Sequence, residues 1–274
     1  MENAIHMLKS VTNVQMNSFV ITSKTGHVVI VDGGFNEDAE YLIGFLREIT
    51  GQDVPHADCW ILTHPHIDHI SAFMEIMENQ PNAIAFDHLM YNFPSVQFVA
   101  AEERDAHQPI QRFYKDLPRF ADKILIASGG DQYDFGDMHF DILCTADCAL
   151  MQNVCNNSGL IFKLTLGKKT ALFLADCGEE EGDKILSMWP HEMLHADICQ
   201  MAHHGQAGVK RDFYEVVRPD TCIWCAPDWL WNNDAGLGYN THTFKTIITQ
   251  GWMRELGAKH HVILKDGTQS VSMD

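Results

Sequence analysis

The sequence predicts an α/β fold (α+β in its mixed strand connections), a four-layer αββα sandwich in which two mixed β-sheets pack face to face with helices outside. Two observations predict it. Apolar, strand-like runs alternate with helical segments along the 274 residues. Each half also contains two neighbouring strands that a short turn can join as an antiparallel hairpin. Each sheet is therefore expected to contain both antiparallel pairs and pairs that helices connect. The sequence shows no clear repeat, low-complexity tract or linker, and we therefore expect a single domain over residues 1–274.

The first half begins with a predicted hairpin and a helix. Strands over 15–21 and 27–31 flank the turn residues Ser23-Lys24-Thr25-Gly26. A helix over 38–50 follows, because apolar residues recur on one helical face and Gly51 comes directly after them. The remaining elements of this half are strands over 84–91, 123–127 and 138–144 and a charged amphipathic helix over 96–120.

The second half continues the alternation of strands and helices. Its predicted elements are strands over 159–166, 170–175, 197–202, 221–226 and 261–265 and helices over 179–188 and 241–256. The first two of these strands form a hairpin across Gly167-Lys168-Lys169. Several strands in both halves end in polar side chains, and these strand ends carry the functional signal.

The segment Cys59–Ile70 carries the clearest functional signal. Its apolar run is typical of a buried strand and ends in four ligand-type groups within six positions, namely His64, His66, Asp68 and His69. Alternate positions of an extended loop point to one side, so His64 and His66 can face one ligand. Imidazole nitrogens and carboxylate oxygens bind zinc, iron and manganese. The pattern therefore predicts a metal site where a strand passes into a helix.

Three other predicted strands also end in ligand-type groups. The strand over 170–175 runs into Asp176, and His203 and His204 follow the strand over 197–202. A carboxylate has two oxygens that can each bind a different cation, which makes Asp176 a candidate bridge between two metals. The first hairpin ends in Asp32-Gly33-Gly34, where the glycines allow a sharp turn. Asp32 is therefore a candidate for supporting a ligand rather than for binding the metal itself.

The arrangement H-x-H-x-D-H at residues 64–69 resembles the signature of the metallo-β-lactamase superfamily. The resemblance implies the metallo-β-lactamase fold and two divalent metal ions, zinc in the first place with manganese or iron as alternatives. It assigns ligands as follows: His64 and His66 to one metal, Asp68 and His69 to the second, and Asp176 to the bridge. Asp32 resembles the aspartate of the superfamily's first motif, which braces the histidine loop.

The resemblance also implies a terminal histidine as the last ligand of the second metal. We favour His203, because it directly follows the predicted strand; His204 would then face the substrate or support a ligand. Most members of the superfamily have a further histidine before the bridging aspartate, but no histidine lies between His139 and Asp176. Asn157 or Asp147 can serve as an oxygen ligand in its place, which would favour a harder ion such as manganese.

Later segments resemble one branch of the superfamily, the hydrolase domain of ComEC-type competence proteins. The matching segments are Asn156-Asn157-Ser158-Gly159-Leu160, Leu174-Ala175-Asp176, Met201-Ala202-His203-His204-Gly205 and Gly238-Tyr239-Asn240-Thr241-His242. With the histidine loop they extend the resemblance from Gln15 to about Val271. This branch implies hydrolysis of a phosphoester.

Composition and charge limit which substrates and which cellular compartment are expected. The formal net charge is −18, from 19 Lys and Arg against 37 Asp and Glu, and a strongly acidic protein repels a polyanion at long range. We therefore expect a small-molecule or short phosphoester substrate rather than long nucleic acid. The chain has no apolar run as long as a membrane span and no signal-peptide pattern, which predicts a cytoplasmic protein with reduced cysteines and no membrane partner.

The predicted function is metal-dependent hydrolysis by a metal-bound hydroxide, since zinc lowers the pKa of bound water to near 7. Asp68 is expected to act in catalysis as well as in metal binding. His242, in a loop with Gly and Asn, is a candidate proton donor to the leaving group or contact for an oxyanion; a structural role at a helix entry is the alternative. Phosphoester or phosphodiester hydrolysis leads. The alternatives are hydrolysis of a carboxylic ester, lactone or thioester, an iron-dependent oxidoreductase and a non-catalytic binding module.

Overall fold

Two seven-stranded β-sheets form the centre of the molecule in residues 1–103 and 107–274, which the computed structural model describes. The strands of the first sheet are β1 (Ala4–Met7), β2 (Ser18–Thr22), β3 (Val28–Asp32), β4 (His56–Ile61), β5 (Ala85–Tyr91), β6 (Ile124–Ile126) and β14 (Gln269–Ser272). The strands of the second sheet are β7 (Gln132–Phe135), β8 (Met138–Cys144), β9 (Ile161–Leu166), β10 (Lys169–Phe173), β11 (Ile198–Gln200), β12 (Thr221–Trp224) and β13 (His260–Ile263).

Each sheet changes from antiparallel to parallel pairing at its middle strand. In the first sheet, with the order β14-β1-β2-β3-β4-β5-β6, the pairs are antiparallel up to β2–β3 and parallel from β3–β4 onward. In the second, with the order β7-β8-β9-β10-β11-β12-β13, they are antiparallel up to β9–β10 and parallel from β10–β11 onward.

The two sheets pack against each other through large apolar side chains. Phe19 of β2 meets Phe173 of β10 edge to face, with ring centroids 5.3 Å apart, and Phe173 stacks on Phe162 of β9 at 4.8 Å. All three rings are buried. Burying such a side chain stabilises the fold by about 1.5–3 kcal/mol. The sheets therefore share one core, as the predicted sandwich requires.

Helices cover the outer faces of the two sheets and complete the predicted αββα sandwich. They are α1 (Ala39–Thr50), α2 (Ile67–Asn79), α3 (Val96–Glu102), α4 (His107–Asp116), α5 (Glu179–Met188), α6 (His191–Leu194), α7 (Arg211–Val217), α8 (Asp228–Trp231) and α9 (Thr246–Leu256). Ile185 of α5, Phe213 of α7 and Met253 of α9 are buried in a second apolar cluster with Trp224. Among the described residues, none of the helices has the length and apolar content to cross a membrane.

The predicted helix over 96–120 is interrupted in the structure. α3 and α4 lie within it, residues 104–106 of the prediction fall outside the described residues, and Leu117–Phe120 form a 3₁₀ turn. Pro118 explains the end of α4, because a proline disfavours helical backbone at the residue before it. The described part of the segment therefore contains two separate helices and a 3₁₀ turn in place of the one predicted helix.

The last helix begins five residues later than predicted, at Thr246 rather than at residue 241. The intervening residues are bound to the preceding loop: the hydroxyl of Thr241 donates to the carbonyl of Gly238 (2.7 Å), and the backbone N–H of His242 donates to the carbonyl of Asn233 (2.8 Å). These bonds hold residues 241–245 in a loop. The start of the last helix was therefore predicted too early from the helical composition of the segment.

Candidate metal centre

Asp32, at the carboxyl end of β3, holds the histidine loop in place. It is fully buried. Its Oδ1 accepts a hydrogen bond from the backbone N–H of Thr63 (2.8 Å), and its Oδ2 accepts one from the Thr63 hydroxyl (2.7 Å). Trp60 of β4 donates its indole N–H to the carbonyl of Asp32 (2.8 Å). These bonds fix the segment between β4 and α2, which is the position where the resemblance expects a bracing aspartate.

The structure brings the proposed ligands together in two groups that share Asp176. The four-residue group contains Asp68, His69, Asp176 and His204, and the three-residue group contains His64, His66 and Asp176. In the four-residue group, His204 Nε2 lies 3.2 Å from Asp68 Oδ2 and 3.3 Å from Asp176 Oδ2. In the three-residue group, His64 Nε2 lies 3.2 Å from His66 Nδ1 and 3.8 Å from Asp176 Oδ2. Three strand ends that are far apart in sequence therefore meet at one place.

Hydrogen-bond counting shows that the four-residue group fits a cation. His69 Nδ1 lies 2.7 Å from Asp32 Oδ2, and an ionised carboxylate only accepts, so this nitrogen carries the ring proton. In the neutral ring, His69 Nε2 is then a bare lone pair, and it lies 3.3 Å from Asp176 Oδ1. Neither atom has a hydrogen-bond partner within the described residues. Two buried acceptors facing each other are costly unless a proton or a metal ion lies between them.

The three-residue group has the same excess of acceptors. His64 Nδ1 lies 3.3 Å from the hydroxyl oxygen of Thr63, which already donates its proton to Asp32 and can accept here. His66 Nε2 lies 2.7 Å from Glu103 Oε1 and donates to it. His64 Nε2 and His66 Nδ1 are thereby left as lone pairs facing each other. Imidazole nitrogens with a shared carboxylate suit zinc, manganese or iron, so the residues present fit two divalent ions.

Burial and nearby charge set the protonation of the centre when no metal is bound. Burial alone would lower the pKa of His69, but the negative charges of Asp176, Asp32 and Asp68 outweigh it and raise the pKa to about 9. Burial likewise opposes protonation of His204, yet Asp176 raises its pKa well above the ordinary value. Protons on these two rings then take the place of cations beside the buried carboxylates.

A left-handed turn decides which terminal histidine joins the four-residue group. After β11, His203, His204 and Gly205 have φ of 49°, 53° and 84°, a region that is strained for residues other than glycine. The backbone N–H of His203 donates to the carbonyl of Ala175 (2.9 Å), which attaches the turn to the strand end that carries Asp176. The turn places His204 in the group, whereas His203 Nε2 lies 3.7 Å from Asp176 Oδ2. Sequence position favoured His203 over His204, and the structure reverses this preference. In a left-handed turn, the position of a residue directly after a strand does not determine where its side chain points.

The two predicted oxygen substitutes for the missing histidine make other interactions. Asn157 Oδ1 accepts a hydrogen bond from the backbone N–H of Glu181, near the start of α5 (3.2 Å). Asp147 forms an ion pair with Lys184 at 2.9 Å. The side-chain N–H of Asn157 also donates to the carbonyl of Gln152 (2.6 Å), and Asp147 belongs to none of the groups of His, Cys, Asp and Glu that can hold a metal among the described residues. The structure therefore gives no support to Asn157 or Asp147 as a ligand.

A cavity of about 280 Å³ opens beside both groups. Its lining residues are Gln15, His66, Ile67, Asp68, Glu103, Pro109, Asp176 and His203. His203 thus faces the open side of the centre, while His204 is fully buried. The volume is at the lower end of the range of small-molecule sites, which is about 300–1,000 Å³.

Sequence reasoning missed Glu103, Gln15 and Asn156 as neighbours of the centre. Glu103 is one charged residue in a charged segment, and no local pattern distinguishes it from the others. Asn156 lies beside the residue that we selected: its Nδ2 is 3.4 Å from His203 Nε2, and its Oδ1 is buried without a partner among the described residues. The motif Asn156-Asn157-Ser158 therefore indicated a segment beside the centre, but Asn156 rather than Asn157 is the residue that lies next to His203.

His242 lies outside both groups and outside the cavity lining. Its ring stacks on Phe244 with centroids 3.9 Å apart and lies 6.2 Å from the ring of Trp229. Its Nδ1 accepts a hydrogen bond from the backbone N–H of Thr243 (2.9 Å). These contacts are with α8 and with the loop that precedes α9, and none of them joins His242 to a residue of the two groups.

Comparison with known proteins identifies the fold. A family model of the metallo-β-lactamase superfamily matches residues 11–119, which include the histidine loop. No curated protein matches the chain in sequence. The match and the two mixed sheets flanked by helices show that the chain has the metallo-β-lactamase fold.

Two solved structures are similar to this chain over almost its whole length. The metallo-β-lactamase fold protein YhfI from Bacillus subtilis has a TM-score of 0.58 and 12% identity, and the match covers 99% of this chain and 100% of that one. CmlA, a diiron β-hydroxylase from Streptomyces venezuelae, has a TM-score of 0.57 and 10% identity over 99% of this chain and 54% of that one. This chain therefore spans about half the length of CmlA. At such identities the similarity shows a common fold.

Proposed function

We propose that this protein is a metal-dependent hydrolase that acts on a small phosphoester or phosphodiester. The observation that supports the proposal is that two groups of ligand-type side chains share Asp176, and that in the four-residue group His69 Nε2 and Asp176 Oδ1 are buried without a hydrogen-bond partner among the described residues. The likeness of the later segments to the ComEC-type branch supports a phosphoester substrate. The metallo-β-lactamase fold supports the same arrangement of two metals.

The chain's own residues would hold the two ions and orient the substrate. His64, His66 and Asp176 would hold one ion; Asp68, His69, Asp176 and His204 would hold the other. Two divalent ions bridged in this way lower the pKa of water and stabilise both the attacking and the leaving oxygen of a phosphoester. Asp32 keeps the proton of His69 on Nδ1 and so leaves Nε2 free to bind.

His203 replaces His242 as our candidate for the proton donor. It lines the cavity, and its Nε2 lies 3.7 Å from Asp176 Oδ2, next to the shared carboxylate. A leaving-group oxygen in the cavity would therefore come close to this ring, which can hold and transfer a proton there. Among the described residues of the cavity lining, His66 and His203 are the side chains that can be protonated to a cation, and burial lowers the pKa of His203. With a net charge of −18, this favours small substrates over long nucleic acid.

The test of the proposed function compares substrate classes on metal-loaded protein. We expect protein loaded with zinc or manganese to hydrolyse bis(p-nitrophenyl) phosphate, and His66→Ala and Asp176→Ala to lose all measurable turnover. His56→Ala is the matched control, because His56 is an exposed histidine that pairs with Asp87 at 3.0 Å, outside both groups. Activity that survives exhaustive chelation, or equal activity of the three variants, would contradict the proposal.

Two other functions stay open to the same experiment. A lactone and a β-lactam in the substrate panel would reveal a hydrolase of a different ester or amide. The fold shared with CmlA, a diiron β-hydroxylase, favours an iron-dependent oxidoreductase as the second candidate, since His and Asp ligands also suit iron. Metal analysis of protein purified without added metal separates them: two irons with an optical band would favour oxidation, and zinc or manganese would favour hydrolysis.

A further inference from the structure

Among the described residues, Glu103 is the carboxylate that contacts His66 from outside the two groups. His66 Nε2 lies 2.7 Å from Glu103 Oε1. The second oxygen of Glu103 is occupied as well, because Oε2 accepts a hydrogen bond from the backbone N–H of Cys155 (3.0 Å). Each oxygen of the Glu103 side chain thus accepts a hydrogen bond from a described residue, and these two bonds fix its orientation.

The backbone of Glu103 is also fixed. Ser95 caps the start of α3, its side chain accepting a hydrogen bond from the N–H of Phe98 (3.2 Å). The N–H of Glu103 donates to the carbonyl of Val99 at the other end of the helix (2.8 Å). Glu103 therefore leaves the end of α3 at a defined position. It joins the first half of the chain, through His66, to the second half, through Cys155.

The contact determines which nitrogen of His66 is free. A carboxylate accepts and does not donate, so the neutral ring carries its proton on Nε2 and presents Nδ1 as a lone pair. That lone pair faces His64 Nε2 at 3.2 Å, where a metal of the three-residue group would lie. His64 presents the opposite nitrogen, because its Nδ1 is turned to Thr63. The two histidines would therefore offer different ring nitrogens to a metal, and among the described residues Glu103 is the acceptor that leaves Nδ1 of His66 free.

We propose that Glu103 is a positioning residue: it holds His66 in the Nε2–H form and thereby sets the affinity of the metal position formed by His64, His66 and Asp176. The inference rests on the proposed use of metals by this centre. It matters because this position has only two histidines and the shared carboxylate, so its occupancy depends strongly on how well each ring is presented. A carboxylate partner also makes the imidazole a stronger donor to the metal.

The experiment measures metal affinity in three variants of the full chain. Glu103→Ala removes the partner of His66. Glu103→Gln keeps one acceptor oxygen for His66 without the charge. Glu102→Ala is the matched control, since it removes one negative charge at the exposed preceding residue of the same helix. Stepwise zinc or cobalt affinities are obtained by competition with a chromophoric chelator, with thermal unfolding of each variant as the check on folding.

We expect Glu103→Ala to weaken one of the two binding steps by about 10–100-fold, the usual effect of removing the partner of a metal-binding histidine, and to leave the other step unchanged. Glu103→Gln should recover part of the loss, and Glu102→Ala should match the unsubstituted protein. Unchanged affinity in Glu103→Ala, or equal loss at both steps together with unfolding, would overturn the inference.

A second readout reports the ring directly. In metal-free protein with ¹⁵N-labelled histidine, at a pH where His66 is neutral, we expect the Nε2–H form of His66 in the unsubstituted chain and in Glu102→Ala. Glu103→Ala should show a mixture of both forms; a signal that stays in the Nε2–H form would contradict the proposed role. If the unsubstituted protein binds no metal at all, the proposed function fails; if it binds two metals and Glu103→Ala binds both with unchanged affinities, only this inference fails.

Discussion

Glu181 is a buried carboxyl group in the first turn of α5, outside the metal centre. It is fully buried, and neither oxygen forms a hydrogen bond of sound geometry within the described part of the chain. Its polar neighbours include the thiols of Cys144 and Cys177, which are weak donors. Burial raises the pKa of Glu181 to about 8. At neutral pH the side chain is therefore held mostly as the uncharged acid.

This shift predicts a component of stability that falls as pH rises. The pKa of Glu181 is about 8 in the folded state against an ordinary value of 4.5, so the folded protein binds the proton more tightly. The contribution is complete below about pH 4.5 and is lost as pH rises through 8. Glu181→Gln cannot ionise, and we expect its free energy of unfolding relative to the unsubstituted protein to increase by about 1–4 kcal/mol from pH 5 to pH 9.

The measurement is urea unfolding of metal-free protein at the two pH values. Glu192→Gln serves as the control, because Glu192 is exposed and its removal leaves the buried carboxyl in place. A Glu181→Gln variant whose stability changes with pH exactly as the unsubstituted protein does would show that Glu181 ionises normally in the fold.

At the scale of single elements, the turn after β11 is the most constrained segment near the centre. Gly205 follows two histidines with positive φ and itself has φ of 84°. A Cβ at this position would lie 2.5 Å from the indole ring of Trp224, a fully buried side chain. The glycine is needed both for its conformation and for the close approach of the ring.

Gly205→Ala should therefore destabilise the fold by about 2–4 kcal/mol, from strain at positive φ and from displacement of a rigid ring. Because His204 is its direct neighbour, metal affinity should fall as well. Gly44→Ala is the control: Gly44 lies inside α1 with open space around it, where alanine stabilises a helix by about 0.5–1 kcal/mol. Thermal unfolding and chelator competition measure both effects, and a Gly205→Ala protein as stable as Gly44→Ala would refute the constraint.

At the scale of the whole molecule, the centre joins protonation to metal binding. In metal-free protein the pKa of His69 is about 9 and that of His204 is raised as well, so both rings hold protons at neutral pH. A metal must displace these protons. We therefore expect metal affinity to rise with pH between 7 and 9, by up to about tenfold per pH unit for each displaced proton.

Calorimetric titration with zinc in two buffers of different ionisation enthalpy measures the number of protons released. The heat of zinc dilution and of zinc binding to each buffer is measured in a titration without protein and subtracted. Release of one to two protons at pH 7, falling towards pH 9, is the expected result. An affinity that does not change with pH over this range would show that His69 and His204 are already neutral before the metal binds.

Local sequence pattern predicted an α/β fold, and the resemblance to the superfamily predicted the four-layer sandwich directly. The strand ends at His64–His69, Asp176 and His203-His204 also marked the segments that meet at the centre, although β4 belongs to the first sheet and β10 and β11 to the second. Local pattern could not predict what depends on three-dimensional direction. The left-handed turn determines which terminal histidine faces Asp176, and Glu103 reaches His66 only through the position of α3. The strands β1, β7 and β14 have four residues each and were missed. β1 and β14 pair with each other from opposite ends of the chain, outside any local window, whereas β7 pairs with the adjacent β8 and is too short for a clear alternation of polar and apolar residues.

The pairing of β14 with β1 has a consequence for synthesis of the protein. Ala4 lies opposite Ser272, so the edge of β1 stays without its neighbour on the ribosome until the whole intervening chain has emerged. Contacts over such long separations form slowly, and the strand edge is exposed to association with other nascent chains in the meantime. Asp176 and His204 also emerge long after the histidine loop. A cation held by residues of both halves would therefore stabilise the fold only after the whole chain has been made and correctly assembled.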